Sequence, residues 1–394
     1  MKKVLYSSTA LAAASALALI PTGDAYAAEK AKKISLGFGG GMTSLVGFAQ
    51  QDESFEKSSV ADTAGVTHYD AFNVSMNSEI EIKGSVKLDS GITVSIEVEF
   101  ETDQEQANAS GGNSDTGIDN SFMKITGGFG DIRIGGAAPV TAVLSQNAPW
   151  TGALFPGVET VQWVHVPSAV LNNGANPWGK HSTTNGASDQ VKLQYISPQF
   201  AGLRVGAFYE PESAGATQTQ GMPRIGGTGS TVNQTWGAVV NYENKFGAVT
   251  LKADVGAWYA RGSAASSNDN RRFGAKILFG DITVGGSYLK IADESPGQGG
   301  VEASDEEERF DLGVLFKPKG YSIGLHYLHA EGPETSGVAG DDSKTTISMG
   351  ATYDLGPGVS AVATVFHADY EDETSNDSNN NSGWAAVAGV KVRF

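Results

Sequence analysis

The chain closes on Gly383-Trp384-Ala385-Ala386-Val387-Ala388-Gly389-Val390-Lys391-Val392-Arg393-Phe394. Strand side chains alternate between two faces, which gathers Trp384, Ala386, Ala388, Val390, Val392 and Phe394 on one side. Gly383, Ala385, Gly389, Lys391 and Arg393 fall on the other. One face is oily and the other charged. About ten alternating residues is the length of a strand crossing a bilayer at a tilt. Taken alone, the segment also fits an edge strand of a soluble sheet.

Working back along the chain, the same pattern recurs. Phe72, Val74, Met76, Ile80, Ile82, Val86 and Leu88 alternate with Asn73, Ser75, Asn77, Glu79, Glu81, Lys83, Ser85 and Lys87. Asp89-Ser90-Gly91 supplies a tight turn. Ile92, Val94, Ile96, Val98 and Phe100 then resume the oily face against Thr93, Ser95, Glu97, Glu99 and Glu101. Further hairpins turn at Pro198 to Gly202, Asn244 to Gly247, Gly280-Asp281, Pro318 to Gly320 and Leu355 to Gly358. Long connections rich in Gly, Ser, Asn, Asp and Glu alternate with these short turns. That asymmetry belongs to an outer-membrane barrel with short periplasmic turns and long external loops. The pattern predicts an all-β fold, a sixteen-stranded antiparallel transmembrane β-barrel, running from a first strand at 34–49 to a last at 383–394. The even number brings both ends to the periplasmic side.

The N-terminus reads as an export signal. Lys2 and Lys3 precede the short apolar run Ala10 to Ile20 and the small-x-small site Ala25-Tyr26-Ala27, so residues 1–27 are expected to be removed. Residues 28–394 then form the barrel. Removing Lys2, Lys3 and Asp24 takes away a net +1, and the formal charge of −17 becomes −18 in the mature chain. So acidic a protein has no use for nucleic acid. No stretch reaches the roughly 20 apolar residues of a membrane helix. With no cysteine in 394 residues, packing and backbone pairing hold the exported fold.

One connection breaks the rhythm. The segment 138–189 has scarcely any alternation, few charges and four large aromatic residues, Trp150, Phe155, Trp163 and Trp178. Its apolar side chains need burial, and the lumen is the available cavity, so this third loop is expected to fold inward. The charged strand positions share one parity: Glu79, Glu81, Glu97, Glu99, Glu101, Asp254 and Asp311 fall with Lys83, Lys124, Arg133, Lys192, Arg204, Arg272, Lys391 and Arg393. A charge on the lipid face costs about 2–4 kcal/mol at the midplane, which places these residues toward a wet interior. The pore-lining set expected from this parity includes Glu79, Glu81, Lys83, Glu97, Glu99, Lys124, Arg133, Lys192 and Arg204. The carboxylates of the first hairpin and the mature charge suggest a weak preference for cations. Tyr195, Tyr209, Trp236, Tyr242, Tyr259 and Tyr353 lie near strand ends on the oily parity, as interfacial girdles do.

In its order of features the chain resembles the general bacterial porins, Gram-negative outer-membrane proteins of sixteen strands, most closely the alphaproteobacterial type. The features are the Asn73-Val74-Ser75-Met76 strand with its Asp89-Ser90-Gly91 hairpin, the long loop after Ile132-Arg133-Ile134-Gly135-Gly136, and the terminal Val392-Arg393-Phe394. The resemblance implies passive diffusion of small hydrophilic solutes and ions, a homotrimer, and a third loop that narrows the pore through Trp150, Phe155, Glu159 and Trp163. It also implies that the barrel-assembly machinery reads Phe394. One departure stands out: Glu159 is the sole carboxylate of the third loop from Ala137 to Ser188. A channel specific for a sugar or other nutrient and a secreted β-rich adhesin are the other readings of the same pattern.

Nothing in the chain signals catalysis. There is no nucleophile-elbow motif, and His326 and His329, three apart on a strand, point to opposite faces. The glycine run Gly37 to Gly41 lacks the helix of a phosphate loop and suits close strand packing. No cofactor is expected. Acid-rich loops at Asp305 to Glu308, Asp341-Asp342 and Glu371 to Glu373 suit Ca²⁺ or Mg²⁺, which would bridge the protein to anionic lipopolysaccharide among the outer-membrane lipids.

Overall fold

The computed structural model describes residues 34–60, 69–102, 117–167, 170, 190–211, 234–261, 267–293, 306–332 and 340–394. The proposed signal segment 1–27 and Trp178 lie outside these residues. Sixteen strands form one sheet: β1 Ser35–Gln51, β2 Phe72–Lys87, β3 Thr93–Glu101, β4 Ile118–Gly127, β5 Gly130–Gly136, β6 Val191–Ile196, β7 Leu203–Glu210 and β8 Gln234–Phe246 lead into β9 Val249–Arg261, β10 Ser267–Phe279, β11 Ile282–Asp293, β12 Glu306–Phe316, β13 Tyr321–Gly332, β14 Asp342–Gly356, β15 Val359–Glu371 and β16 Asn381–Arg393. Every strand pairs antiparallel with its sequence neighbours, and β1 pairs with β16 to close the barrel.

The closing seam runs through the terminal segment. Gly41 pairs with Arg393, Val46 with Ala388 and Gln51 with Gly383. Beyond the strand, Gly40 N donates to Phe394 O at 3.2 Å and Phe394 N to Gly40 O at 3.1 Å. A Cβ on Gly40 would come within 2.5 Å of Glu79 O and 3.1 Å of the Phe394 ring, so this glycine lets β1 approach β2 closely beside the terminal aromatic. All seven short turns carry a glycine in the left-handed region, Gly91, Gly130, Gly202, Gly247, Gly280, Gly320 and Gly358. Two-residue and slightly longer hairpin turns need positive φ, which glycine adopts without a Cβ penalty.

Two features depart from the expected layout. Several strands run farther at the external end, with β12 starting at Glu306, β14 at Asp342 and β16 at Asn381. Backbone pairing does not require an apolar face, so the ladders continue above the lipid. The first external connection also holds a short helix, α1 Glu53–Val60, with the Lys57–Glu53 pair at 2.5 Å across one turn.

A further departure concerns the interior, one side of which is packed with apolar side chains. Lumenal residues of β15, β16 and β1, among them Leu45, Val362, Phe366, Tyr370, Ala385 and Val387, form an apolar core with Leu154, Trp163 and Val164 of the third loop. A second core joins Val140 and Leu144 to Phe208, Val239, Trp258 and Leu289. Both are built inside the barrel.

Candidate functional site

The third loop enters from β5 through the short helix α2, Val140–Val143. It then travels along the inner wall, held by lumenal side chains of β8 to β10, of β12 to β16 and of β1. Asn241 of β8 donates to Leu144 O at 2.8 Å. Asp254 of β9 accepts from Gln146 N at 2.6 Å. Arg272 of β10 donates to Gln146 O at 3.2 Å and to Asn147 Oδ1 at 3.0 Å, and is ion-paired with Asp254. Asp311 of β12 accepts from Ala148 N at 3.1 Å and from Ser287 Oγ of β11 at 2.7 Å.

The same hand-over continues around the barrel. Thr151 Oγ1 lies 2.7 Å from Ser322 Oγ of β13 and 2.8 Å from Thr352 Oγ1 of β14. Thr364 Oγ1 of β15 accepts from Ala153 N at 2.8 Å and Leu154 N at 3.1 Å. His165 N donates to Gln51 of β1 at 3.0 Å, and Asn381 of β16 donates to His165 O at 2.7 Å. A buried backbone without regular structure must find its partners elsewhere. Here the barrel wall supplies them in order, which fixes the path of the loop.

Glycines make room for that path. A Cβ on Gly313 would come within 2.8 Å of Pro149 O, and one on Gly47 within 2.8 Å of the Trp163 ring. At Gly274 and Gly350 it would overlap the carbonyl oxygens of Gln146 and Thr151. These strand glycines are lumenal, so the wall is recessed where the loop backbone lies.

The described part of the loop, residues 138–167, thus covers the inside of β7 to β16 and the external end of β1. Among the described residues, none of the loop lies against the wall from β2 to β5. Along it Glu79 faces Glu101, Glu81 faces Glu99, Lys83 faces Glu97, and Lys124 faces Arg133. Two carboxylates directly opposite each other repel, and a water-filled lumen screens them. Lys83 is ion-paired with Glu81 and lies 3.9 Å from Glu97. Asn120 donates to Glu99 at 2.5 Å. Arg133 stands 5.9 Å over the Phe122 ring. On β2 and β4 the acids occupy the external half and the bases the periplasmic half.

The structure corrects one expected pore-lining residue and one expected pore-narrowing residue. Lys192 has a fully buried side chain, ion-paired with Glu210 at 3.4 Å and donating to Ala137 O at 2.8 Å. It lies under the root of the third loop, where parity cannot distinguish a wet position from a covered one. Trp163 is 6% exposed and anchors the loop in the apolar core. Trp150 also serves the fold of the loop, donating through Nε1 to Leu154 O at 2.8 Å. Phe155, 41% exposed, and Glu159, which accepts from Phe155 N at 2.6 Å, remain on the open side. Arg204 is lumenal and lies 3.7 Å from Glu243.

Sequence parity identified Asp254, Asp311 and Arg272 as inward but gave no reason to tie them to the loop. The uncharged anchors Asn241, Ser322, Thr352 and Thr364 had no signal at all.

Of the acidic loops, the structure brings Asp342, Asp372 and Glu373 together, their carboxylate oxygens within 4.8 Å of one another. A hydrogen bond with Asp342 pushes the Glu373 carboxyl from 4.5 up to about 7. Burial raises Asp372, but hydrogen bonds from Thr374 and Asn379 outweigh it and hold the carboxyl below its ordinary value. Asp305 lies outside the described residues, and Glu306 to Glu308 are engaged by Lys290 and Arg309.

A family model described as Gram-negative porin matches residues 7–373. The anion-selective porin from Comamonas acidovorans superimposes with a TM-score of 0.62 at 17% identity, over 92% of this chain and 100% of that one. The in-vitro folded, trimeric form of OmpT from Vibrio cholerae gives 0.60 at 11% identity, over 92% and 100%. The outer membrane channel DcaP of Acinetobacter baumannii gives 0.58 at 11%, over 92% and 97%. At these identities the structures share the fold with this chain. No curated protein matches it.

Proposed function

The chain belongs to the Gram-negative porin family, outer-membrane channels for passive diffusion of small hydrophilic solutes, and we propose that its conducting path is the crescent between the bare β2–β5 wall and the third loop. The observation that carries this reading is the ladder of wall-to-loop hydrogen bonds from Asn241 to Asn381, which commits the rest of the lumen to packing. Phe155 and Glu159 form the narrow side of the crescent, with Lys391 in the electrostatic field of both Glu159 and Glu79. The role is transport, with no chemical step. Shortening the loop between Phe155 and Gln162 is expected to raise single-channel conductance in planar bilayers. An unchanged conductance in a folded barrel would place the loop away from the path.

The bare wall carries Glu79, Glu81, Glu97 and Glu99 against Lys83, Lys124 and Arg133, and the reading is a weak preference for cations. Reversal potential across a salt gradient measures it, and an anion-selective value would refute it.

The outer surface supports a homotrimer like that of the Vibrio cholerae neighbour. Strands β6 to β9, β11, β13, β14 and β16 carry outward Tyr or Trp, whereas β1 to β5 contain neither residue. A wall without interfacial anchors, bearing Leu36, Phe38, Val46, Val74 and Ile80 exposed, suits burial against another copy. Val74→Arg is expected to yield monomer on native gels while Val255→Arg, on the far side, keeps the trimer. The remaining partners in this reading are lipopolysaccharide and the barrel-assembly machinery.

A further inference from the structure

The open wall has a concave place between the start of β1 and the periplasmic halves of β2, β3 and β4. It encloses about 470 Å³. Five short hydroxyl side chains, Ser35, Ser85, Thr93, Ser95 and Thr126, form its floor, where the strands above carry Glu79, Glu81 and Glu99 instead. Gly37 adds space, since a Cβ there would meet nothing closer than Lys83 O at 4.0 Å. Lys83, Lys124, Glu97 and Phe122 stand around the rim.

The charges of the rim are not equivalent. Lys83 is committed to Glu81 and has Glu97 at 3.9 Å, so these three largely neutralise one another. Lys124 has no ion-pair partner among the described residues, and neither has Arg133 on the far side of Phe122. Among the hydroxyls, Thr126 donates to Asp131 at 2.6 Å. Ser35, Ser85 and Thr93 have no hydrogen-bond partner among the described residues and face water. The recess therefore presents an uncommitted ammonium group beside several hydroxyl groups that can both donate and accept.

We propose that this recess is a transient binding site for small polyhydroxylated anions, sugar acids or sugar phosphates, with the anionic group on Lys124 and the hydroxyl groups on Ser35, Ser85 and Thr93. A simple inorganic anion would use the ammonium alone and leave the hydroxyl floor idle. A cationic solute would meet acids already paired with Lys83. Because the site stays open to lumenal water, binding is weak enough for the solute to leave. The inference rests on the channel reading above.

The test is current block in planar bilayers holding the trimer in potassium chloride, with solute added from the periplasmic side. Potassium gluconate and glucose 6-phosphate probe the two anion sources, and glucose and inorganic phosphate separate the hydroxyl from the charge contribution. Gluconate or glucose 6-phosphate is expected to block at concentrations about ten-fold below either control, the effect of one charge-assisted hydrogen bond. The ratio of these two blocking concentrations tells carboxylate from phosphate. Lys124→Gln is expected to raise the blocking concentration about ten-fold while potassium chloride conductance persists. Ser85→Val, which fills the floor, is expected to do the same. Equal block by inorganic phosphate, or block unchanged in both variants, would overturn the site. Loss of potassium chloride conductance in the unmodified protein would instead overturn the channel reading.

Discussion

The carbonyl oxygen of Thr151, in the third loop, occupies the place where a side chain on Gly350 of β14 would begin. The contact is between a strand glycine and a backbone oxygen, so no rotamer change relieves it. Gly350→Ala is expected to lift the loop from the wall and to lose the paired contacts of Thr151 with Ser322 and Thr352. Overpacking of this kind costs about 1–3 kcal/mol. The heat stability of the folded trimer should fall and single-channel current should become noisier. Unaltered stability and noise would mean that the loop is not seated there.

The Asp254–Arg272 pair sits beneath the same loop with both side chains fully buried. Asp254→Ala takes the ion-pair partner from a buried guanidinium and orphans Gln146 N, and is expected to destabilise by about 3–5 kcal/mol. The exposed Lys57–Glu53 pair, lost in Lys57→Ala, is screened by solvent and its loss is expected to leave the stability nearly unchanged. Urea unfolding of detergent-refolded protein compares the two, and equal effects would refute the anchoring role.

Protonation of Glu373 is a second point of control, at the external rim. Its carboxyl titrates near 7 in the fold against 4.5 ordinarily. A raised carboxyl binds its proton more tightly in the folded protein. Its stabilising contribution is therefore complete below about pH 4.5 and is lost as the pH climbs through about 7. Amide exchange at Thr374 and Asn379, corrected for intrinsic rates, should accelerate between pH 6 and pH 8. In Glu373→Gln, which keeps a hydrogen-bond donor toward Asp342 at every pH, the corrected rates should be flat. Acceleration persisting in that variant would assign the effect to another group.

Phe394 separates folding from assembly. Its ring is 75% exposed, although its backbone completes the β1–β16 seam through Gly40. Deleting it removes two hydrogen bonds at the end of the seam, a loss of about 1–2 kcal/mol that a closed barrel withstands. If the residue is an assembly signal, the deletion variant refolds in detergent yet fails to accumulate in the outer membrane of cells. Normal outer-membrane levels would refute that role.

The strands, their faces and the sixteen-fold count were legible because they are local. A period of two decides which side chains share a face, and a positive-φ glycine at each short turn, such as Gly91 or Gly320, follows from hairpin geometry alone. The terminal segment, read in isolation, already carries the lipid-facing row that ends at Phe394.

What the sequence alone did not contain was the division of the lumen into a dry half and a wet half. Lys124 and Lys192 have the same chemistry and the same inward parity, yet one borders open water and the other is buried against Glu210. The difference is the course of the third loop, whose described residues cover the inside of β7 to β16 and leave Lys124 of β4 uncovered. That course depends on partners contributed one at a time by strands up to more than two hundred residues away, as with Thr151 and Thr352. Local periodicity therefore determined the barrel, and only the tertiary structure decided where water remains within it, because burial is a property of everything that surrounds a side chain and not of its place along the strand.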